Sequence, residues 1–139
     1  MMEAELTAEI DGARTRCEVV GFSELSERDQ LLVAVGALEA DVNNGGFDQF
    51  YFNSAGDLWR QAVAGLRVVG AVRMAELVER SSLMFGPAGP LQNRERRQAQ
   101  LLALTESAED PDVFSELDRE FWSYPDDVSA LLRAHLGSG

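Results

Sequence analysis

Side chains that commonly act as nucleophiles or metal ligands are scarce in this sequence. It contains one histidine, His135, and one cysteine, Cys17, which leaves almost no material for a Ser-His or Cys-His pair or for a His-based metal site. The histidine falls on the apolar face of the predicted last helix, where a packed or capping histidine is expected. Cys17 has no base near it in the sequence and is expected to be a small, buried side chain. We therefore predict no catalytic residue, no metal site and no cofactor.

Carboxylates, in contrast, are abundant and unevenly distributed. The 139 residues include 24 Asp and Glu against 12 basic residues, all of them arginine, for a net charge of −12. Residues 1–59 carry 12 acids and 3 Arg, residues 60–105 carry 3 and 7, and residues 106–139 carry 9 and 2. The arginines of residues 94–97 are expected to pair with acids of this chain or of a second copy. A field of this sign repels phosphate, so it disfavours direct binding to nucleic acid and favours a basic protein as the partner.

The candidate partner-binding surface is the acidic C-terminal part of the chain. Asp112, Glu116 and Glu120 are spaced at i, i+4 and i+8, so on a helix they form a row of like charges about 6 Å apart, a rough imitation of spaced phosphates. Helix capping explains part of the acid in this region, and a solvated surface is the alternative for the rest. Toxin neutralisation or scaffolding fits the same charge. The predicted surface comprises Glu106, Glu109, Asp112, Glu116, Glu120, Asp126 and Asp127.

A second candidate site is the segment Asn43 to Asn53, which combines amides, paired glycines and aromatic side chains. These residue types are typical of a small-molecule pocket, in a binding protein or an enzyme, with a divalent ion held by Asp41 or Asp48. The structural alternative is a helix end at the glycines, followed by a short aromatic helix that anchors the core. An open pocket lined by this segment distinguishes the two hypotheses.

Helical periodicity runs through every long segment and predicts the elements that position these residues. A helix from Ser26 to Val42 begins at a capping serine and stops at the glycine pair. The segment Cys17 to Phe22 is strand-like or loop. We predict one all-α domain of about six to eight helices over residues 1–136, with a flexible tail at 137–139. Further helices are expected over Asp57 to Val69, over Val72 to Phe85 and over Pro90 to Leu104. Another is expected behind the cap Asp110 with Pro111 in its first turn, and a last one from Val128 behind Asp126 and Asp127.

The N-terminus and the hydropathy of the chain bear on its location. The N-terminus is acidic and lacks the basic start and apolar stretch of a secretory signal. The longest nearly unbroken apolar run, Leu31 to Leu38, is far shorter than the roughly 18 residues needed to cross a bilayer. We expect a cytoplasmic protein that does not enter a membrane.

The run Val42 to Gly56 resembles a helical family that contains a bacterial DNA-mimic protein, and many members of this family are described only as a domain of unknown function. Weaker agreement continues at residues 69–71, 94–97 and 117–121. The resemblance implies an all-helical, dimeric domain whose acidic surface occupies the DNA-binding face of a transcription factor or another DNA-binding protein. The motif residues, expected to be structural, are Asn43, Asn44, Gly45, Gly46, Phe47, Gln49 and Phe50.

Overall fold

Seven α-helices and two short 3₁₀ turns make up the part of the chain that the computed structural model describes, residues 1–137. No strand occurs in that range, which confirms the all-α prediction. None of its helices is both long and apolar enough to span a membrane. Of the predicted tail, Gly137 ends the last helix, and residues 138 and 139 lie outside the described residues. The helices are α1 (Glu3–Val20), α2 (Glu27–Phe52), α3 (Trp59–Val68), α4 (Val72–Leu83), α5 (Arg94–Ser107), α6 (Ser115–Trp122) and α7 (Val128–Gly137).

Helix α2 lies at the centre and packs against α1, α3, α5 and α6. Its side chains Leu32 and Leu38 are fully buried. As predicted, it begins behind Ser26, whose Oγ accepts a hydrogen bond from the Asp29 N–H at 3.1 Å. The Asp29 carboxylate accepts two hydrogen bonds from Arg16 of α1, at 2.6 and 2.9 Å. These bonds hold the pKa of Asp29 below its usual value and fix α1 on the core.

The regular helix is interrupted at the glycine pair, as predicted, and a second helical segment follows directly, so that α2 consists of two segments that together extend to Phe52. Gly45 and Gly46 interrupt the helical backbone, and Gly46 has φ 74° and ψ −174°, a conformation that is essentially restricted to glycine. The glycines therefore produce a kink, after which the predicted aromatic helix follows without a loop. Its fully buried rings are Phe47, Phe50 and Tyr51.

Two helices begin later than the sequence predicts. Helix α3 begins at Trp59 and not at Asp57, because that carboxylate forms an ion pair with the buried Arg97 at 2.8 Å instead of capping a helix. Helix α5 begins behind Asn93 and not at Pro90, since the Asn93 side chain accepts the capping hydrogen bond in its first turn. Of the arginines of residues 94–97, only Arg97 meets an acid of the described chain as expected, whereas Arg94 donates to the Phe52 carbonyl and to Asn53.

The two residues with reactive side chains lie on terminal helices. The segment Cys17 to Phe22 is the last turn of α1 and the bend after it, so its strand-like pattern is misleading, and Gly21 ends the helix at φ 84°. Cys17 is half-buried against the core, close to expectation. His135 is exposed in the last turn of α7, because the buried face of this helix extends only over Val128 and Leu132, so of the two predicted alternatives the packed histidine is wrong and the position near the helix C-terminus is as expected.

Candidate protein-binding surface

Four of the seven predicted acidic residues lie on the end of α5, the start of α6 and the connection between them. All four are exposed, and none of their carboxylates forms an ion pair or hydrogen bond with another residue of the described chain. The next arginine along the chain, Arg119, donates to the Ser115 carbonyl instead. The negative charge here is therefore uncompensated by the protein itself. We call the four the acidic surface: Glu106, Glu109, Asp112 and Glu116.

The other three predicted residues have contacts that stabilise the fold. Asp126 accepts a hydrogen bond from a backbone N–H in the first turn of α4 at 2.9 Å. Asp127 accepts one in the first turn of α7 at 3.1 Å, as its position before that helix predicts. Glu120 forms an ion pair with Arg80 of α4 at 2.9 Å. Asp126 and Glu120 thus join elements to α4 and Asp127 caps α7, so these three carboxylates are less available to a partner than the acidic surface.

The predicted row of three carboxylates along one helix is wrong. Helix α6 begins at Ser115, so Asp112 precedes the helix, and only Glu116 and Glu120 are one turn apart on it. The backbone N–H of Asp112 donates to the Asp110 carboxylate at 2.9 Å. An aspartate that bonds the backbone two residues on forms a turn in competition with a helix. This local turn delays the start of α6.

The fold brings two further carboxylates, Asp48 of α2 and Asp118 of α6, toward Asp112. Partial burial raises the pKa of Asp48, and the charge of Asp112 raises it further. Asp118 is only 6% exposed, and its Oδ1 accepts a hydrogen bond from the Phe47 N–H at 2.8 Å. Burial raises the pKa of Asp118, the hydrogen bond opposes this, and the charges of Asp112 and Asp48 add to it. A cationic partner would relieve this repulsion between like charges.

The sequence suggests Asp48 only as a ligand for a divalent ion, and it assigns no role to Asp118. Asp118 could have been found from the sequence, because it is an acid next to Leu117 on the buried side of an amphipathic helix and lies three residues before Phe121. No comparable signal links Asp48 to Asp112, because only the packing of α2 against α6 brings them together. In residues 1–137, no group of three or more His, Cys, Asp or Glu side chains is arranged to hold a metal ion.

The amide Asn43, in the second candidate site, is exposed but is bonded to the α6–α7 connection. Its Nδ2 donates to the Tyr124 hydroxyl at 2.7 Å, and that hydroxyl donates to the Glu39 carboxylate at 2.8 Å. Burial raises the pKa of Glu39, and burial also raises the pKa of Tyr124 to about 12. Tyr124 has φ 49°, an uncommon value for a residue other than glycine. The network thus holds the α6–α7 connection against α2.

Two further polar side chains of this segment, Asn44 and Gln49, are also bonded within the chain. Asn44 donates to Gln49 Oε1 at 2.9 Å, and Gln49 Nε2 donates to Asp41 at 3.0 Å. The Phe47 ring meets Phe121 edge to face at 5.6 Å between ring centres, deep in the core. Buried rings cannot line an open pocket. The buried rings therefore pack α2 against α6, as the structural alternative predicts, while Asp41 and Asn53 line a surface cleft of about 410 Å³ beside Arg94.

A comparison with protein families adds to this geometry. The family model described as DMP19-like protein matches residues 23–137, which is most of the chain. The chain belongs to the DMP19-like protein family. No curated protein and no solved structure gives a significant match. The DMP19-like region contains α2 to α7, the acidic surface, Asp48 and Asp118, whereas α1 precedes it.

Asp118 provides a test of electrostatic repulsion in the DMP19-like region. Replacing it by asparagine should raise the free energy of unfolding at pH 7 by about 1 kcal/mol or less, because asparagine still accepts from the Phe47 N–H and carries no charge. The pKa of Asp118 in the fold lies above its ordinary value of 3.8. Protonation of Asp118 therefore stabilises the fold. This stabilisation is fully present below the ordinary pKa of the carboxyl and is lost as the pH rises through its raised pKa in the fold. The advantage of D118N should thus be present at pH 7 and shrink toward pH 4, as measured by urea denaturation.

The control for this prediction is Asp118→Ala, which removes both the charge and the hydrogen-bond acceptor. It leaves the Phe47 N–H buried without a partner, so the free energy of unfolding should fall by about 1 to 3 kcal/mol. Equal destabilisation by asparagine and alanine at pH 7 would show that the charge of Asp118 is not unfavourable.

Proposed function

We propose that this DMP19-like protein binds the DNA-binding face of a basic protein, with carboxylates in the positions of DNA phosphates. The observation that carries the proposal is the acidic surface, four exposed carboxylates without a counter-charge in the described chain, next to the mutually repelling Asp48 and Asp118. Family membership supports it, since the resemblance in the sequence is to a family that contains a DNA mimic. In this proposal the chain is a binding module without catalytic activity, and it acts in the cytoplasm.

The charge of the surface has a definite thermodynamic consequence. In the free protein the carboxylates repel one another, and water and counterions supply the only screening. Lysines and arginines that bind DNA phosphates present complementary charge, which steers the encounter and stabilises the complex. The affinity is therefore expected to decrease as the salt concentration rises, and the partner is expected to bind DNA or this protein, but not both at once.

Competition with DNA tests the mimicry. The partner is captured on the immobilised protein from an extract of cells that express it, then purified, and its affinity is measured with increasing amounts of its DNA. We expect DNA to displace the partner from this protein. A partner that binds equally well when it is already saturated with DNA would rule out mimicry.

A charge-matched pair of variants tests the location of the interface. Changing all four residues of the acidic surface to their amides should weaken binding at low salt by about tenfold, or about 1.4 kcal/mol, and flatten the dependence of affinity on salt. The control variant changes four other exposed acids, which have no partner in the described chain, to their amides, so that it loses the same net charge. Its affinity should stay within a factor of about two of the wild-type value. Equal loss in both variants would mean that only net charge matters. The control acids are Glu5, Glu18, Glu24 and Glu76.

We also propose that the protein forms a homodimer, as the family resemblance implies. Sedimentation equilibrium of the purified chain measures the assembly directly. A monomer at concentrations well above those used for partner binding would contradict this part of the proposal without affecting the acidic surface.

A further inference from the structure

An apolar groove of about 340 Å³ lies between the end of α2 and the middle of α5. Two large apolar side chains on its rim are open to solvent: Phe52 is 49% exposed and Leu102 is 60% exposed. The buried Leu101 also lines the groove. Phe52 is the one ring of the aromatic helix that does not enter the core, since Phe47, Phe50 and Tyr51 are fully buried.

The polar residues that line the groove are already bonded within the chain. Gln98 Nε2 donates to the Phe52 carbonyl at 2.8 Å, and Thr105 Oγ1 donates to the Leu101 carbonyl at 3.0 Å. The Thr105 hydroxyl proton and one N–H of Gln98 are therefore used within the chain, and the Gln98 amide keeps free hydrogen-bonding capacity. Apolar side chains from two helices that converge in one groove with so few polar groups favour apolar contact with another molecule.

The groove is continuous with the carboxylates of the proposed interface. Asp48 lies one helical turn before Phe52 on α2, and Glu106 lies one turn after Leu102 on α5, so each acid neighbours a rim residue on the same helix face at a rise of about 6 Å. The other end of the groove approaches Arg94, whose guanidinium donates to the Phe52 carbonyl. Glu95, one turn before the lining residue Ala99, lies at that end beside Arg94, so the end with Asp48 and Glu106 is the more negative of the two.

We propose that this groove binds the aliphatic face of a basic amphipathic helix of the partner, while the basic residues of that helix contact Asp48, Glu106 and the acidic surface. This inference rests on the proposed function, because it assigns the partner's anchor to a site beside the same carboxylates. It goes beyond the proposed function because a mimic that imitates only the DNA phosphates needs no apolar groove. Helices that dock in grooves present aliphatic anchors at i, i+3 or i+4 and i+7, and charged residues beside them specify the orientation.

Two labelled peptides test the groove before the partner is identified. Both have about 18 residues of the same leucine and lysine composition, long enough to form a helix on binding. One places its leucines on a single helical face, and the other has them scrambled. Fluorescence anisotropy should show the amphipathic peptide binding about tenfold more tightly than the scrambled one. Equal affinity of the two peptides for the wild-type protein would overturn the inference.

The variant F52Q/L102Q removes the apolar rim and keeps a side chain with good helix propensity on α5. It should abolish the advantage of the amphipathic peptide and leave the binding of the scrambled peptide unchanged. The matched control is V68Q/L83Q, which changes two side chains that are 62% and 61% exposed on α3 and α4. This control should bind both peptides as the wild type does. An advantage that survives in F52Q/L102Q, or that disappears equally in V68Q/L83Q, would place the apolar contact elsewhere.

The acidic-surface variant separates this inference from the proposed function. It should weaken both peptides by similar factors, because they carry equal charge, and so preserve the ratio of their affinities. If the wild-type protein binds the amphipathic peptide more tightly than the scrambled one but its partner binds independently of DNA, mimicry is refuted and the groove inference stands. If the two peptides bind the wild type equally but DNA still displaces the partner, the groove inference is refuted and mimicry stands. Sedimentation of F52Q/L102Q adds a third result, because dissociation of a dimer in this variant would show that a second copy occupies the groove, contrary to the inference.

Discussion

Replacing Arg97 by methionine is expected to lower the free energy of unfolding by about 3 to 5 kcal/mol, because it leaves one buried and three part-buried carbonyl oxygens and the Asp57 carboxylate without their donor. The side chain is 0% exposed. Its Nε donates to the Tyr51 carbonyl at 2.7 Å and its Nη2 donates to the Asn53 carbonyl at 2.8 Å. Its Nη1 donates to the carbonyls of Leu91 and Gln92, both at 3.1 Å. One guanidinium thus joins the end of α2 to the segment before α5.

The space beside Gly56 and the planar shape of the guanidinium both make Arg97 difficult to replace by another side chain. A Cβ added at Gly56 would lie 2.9 Å from Arg97 Nε, so the absence of a side chain there makes space for the guanidinium. Lysine carries a point charge and lacks the planar fork, so Arg97→Lys should recover only part of the lost stability. Urea denaturation followed by far-ultraviolet circular dichroism measures all three proteins.

The neighbouring Arg96 is the matched control. It has the same charge and lies on the same helix, but it is exposed and its side chain has no partner in the described chain. Arg96→Met should change the free energy of unfolding by about 0.5 kcal/mol or less. A loss of under about 1 kcal/mol in Arg97→Met would mean that water replaces the guanidinium and that the bonds contribute little.

The role of Arg97 illustrates what the sequence could and could not predict. Its charge predicts a partner of opposite sign, and Asp57 is that partner. Its complete burial and its four carbonyl contacts could not be predicted, because the acceptors belong to residues 51–53 and 91–92 and meet it only after α5 packs on α2. Helix class and the caps at Ser26 and Asp127 were predictable, since caps and periodicity are set by residues a few positions apart.

The same distinction applies to the acidic surface. Composition and charge along the chain locate the acids near residues 106–116, and the structure leaves those carboxylates exposed and unpaired. Spacing alone could not show that Asp112 lies in a turn, because a bond from its N–H to Asp110 competes with the helix. Nor could spacing bring Asp48 and Asp118 together, since that depends on the kink in α2. The kink is therefore the structural feature with the most influence on the candidate interface.

Replacing Gly46 by alanine is expected to lower the free energy of unfolding by about 3 kcal/mol or more, because strain and steric overlap add at this position. Its φ of 74° with ψ of −174° is a conformation that alanine rarely adopts. An added Cβ would lie 2.7 Å from Asp118 Cγ, so the carboxylate would have to move away from the Phe47 N–H. The measurement is again urea denaturation at pH 7.

Gly21 allows the two contributions to be separated. It has φ 84° and ψ 156°, close to the backbone of Gly46, but an added Cβ there meets nothing within 4 Å. Gly21→Ala should therefore show backbone strain alone, about 1 to 2 kcal/mol. The excess loss in Gly46→Ala reports the overlap with Asp118, and it should fall when Asp118→Ala is added, as a double-mutant cycle detects. Equal losses at the two glycines, or strict additivity with Asp118→Ala, would show that the carboxylate moves aside freely and that Gly46 does not determine its position.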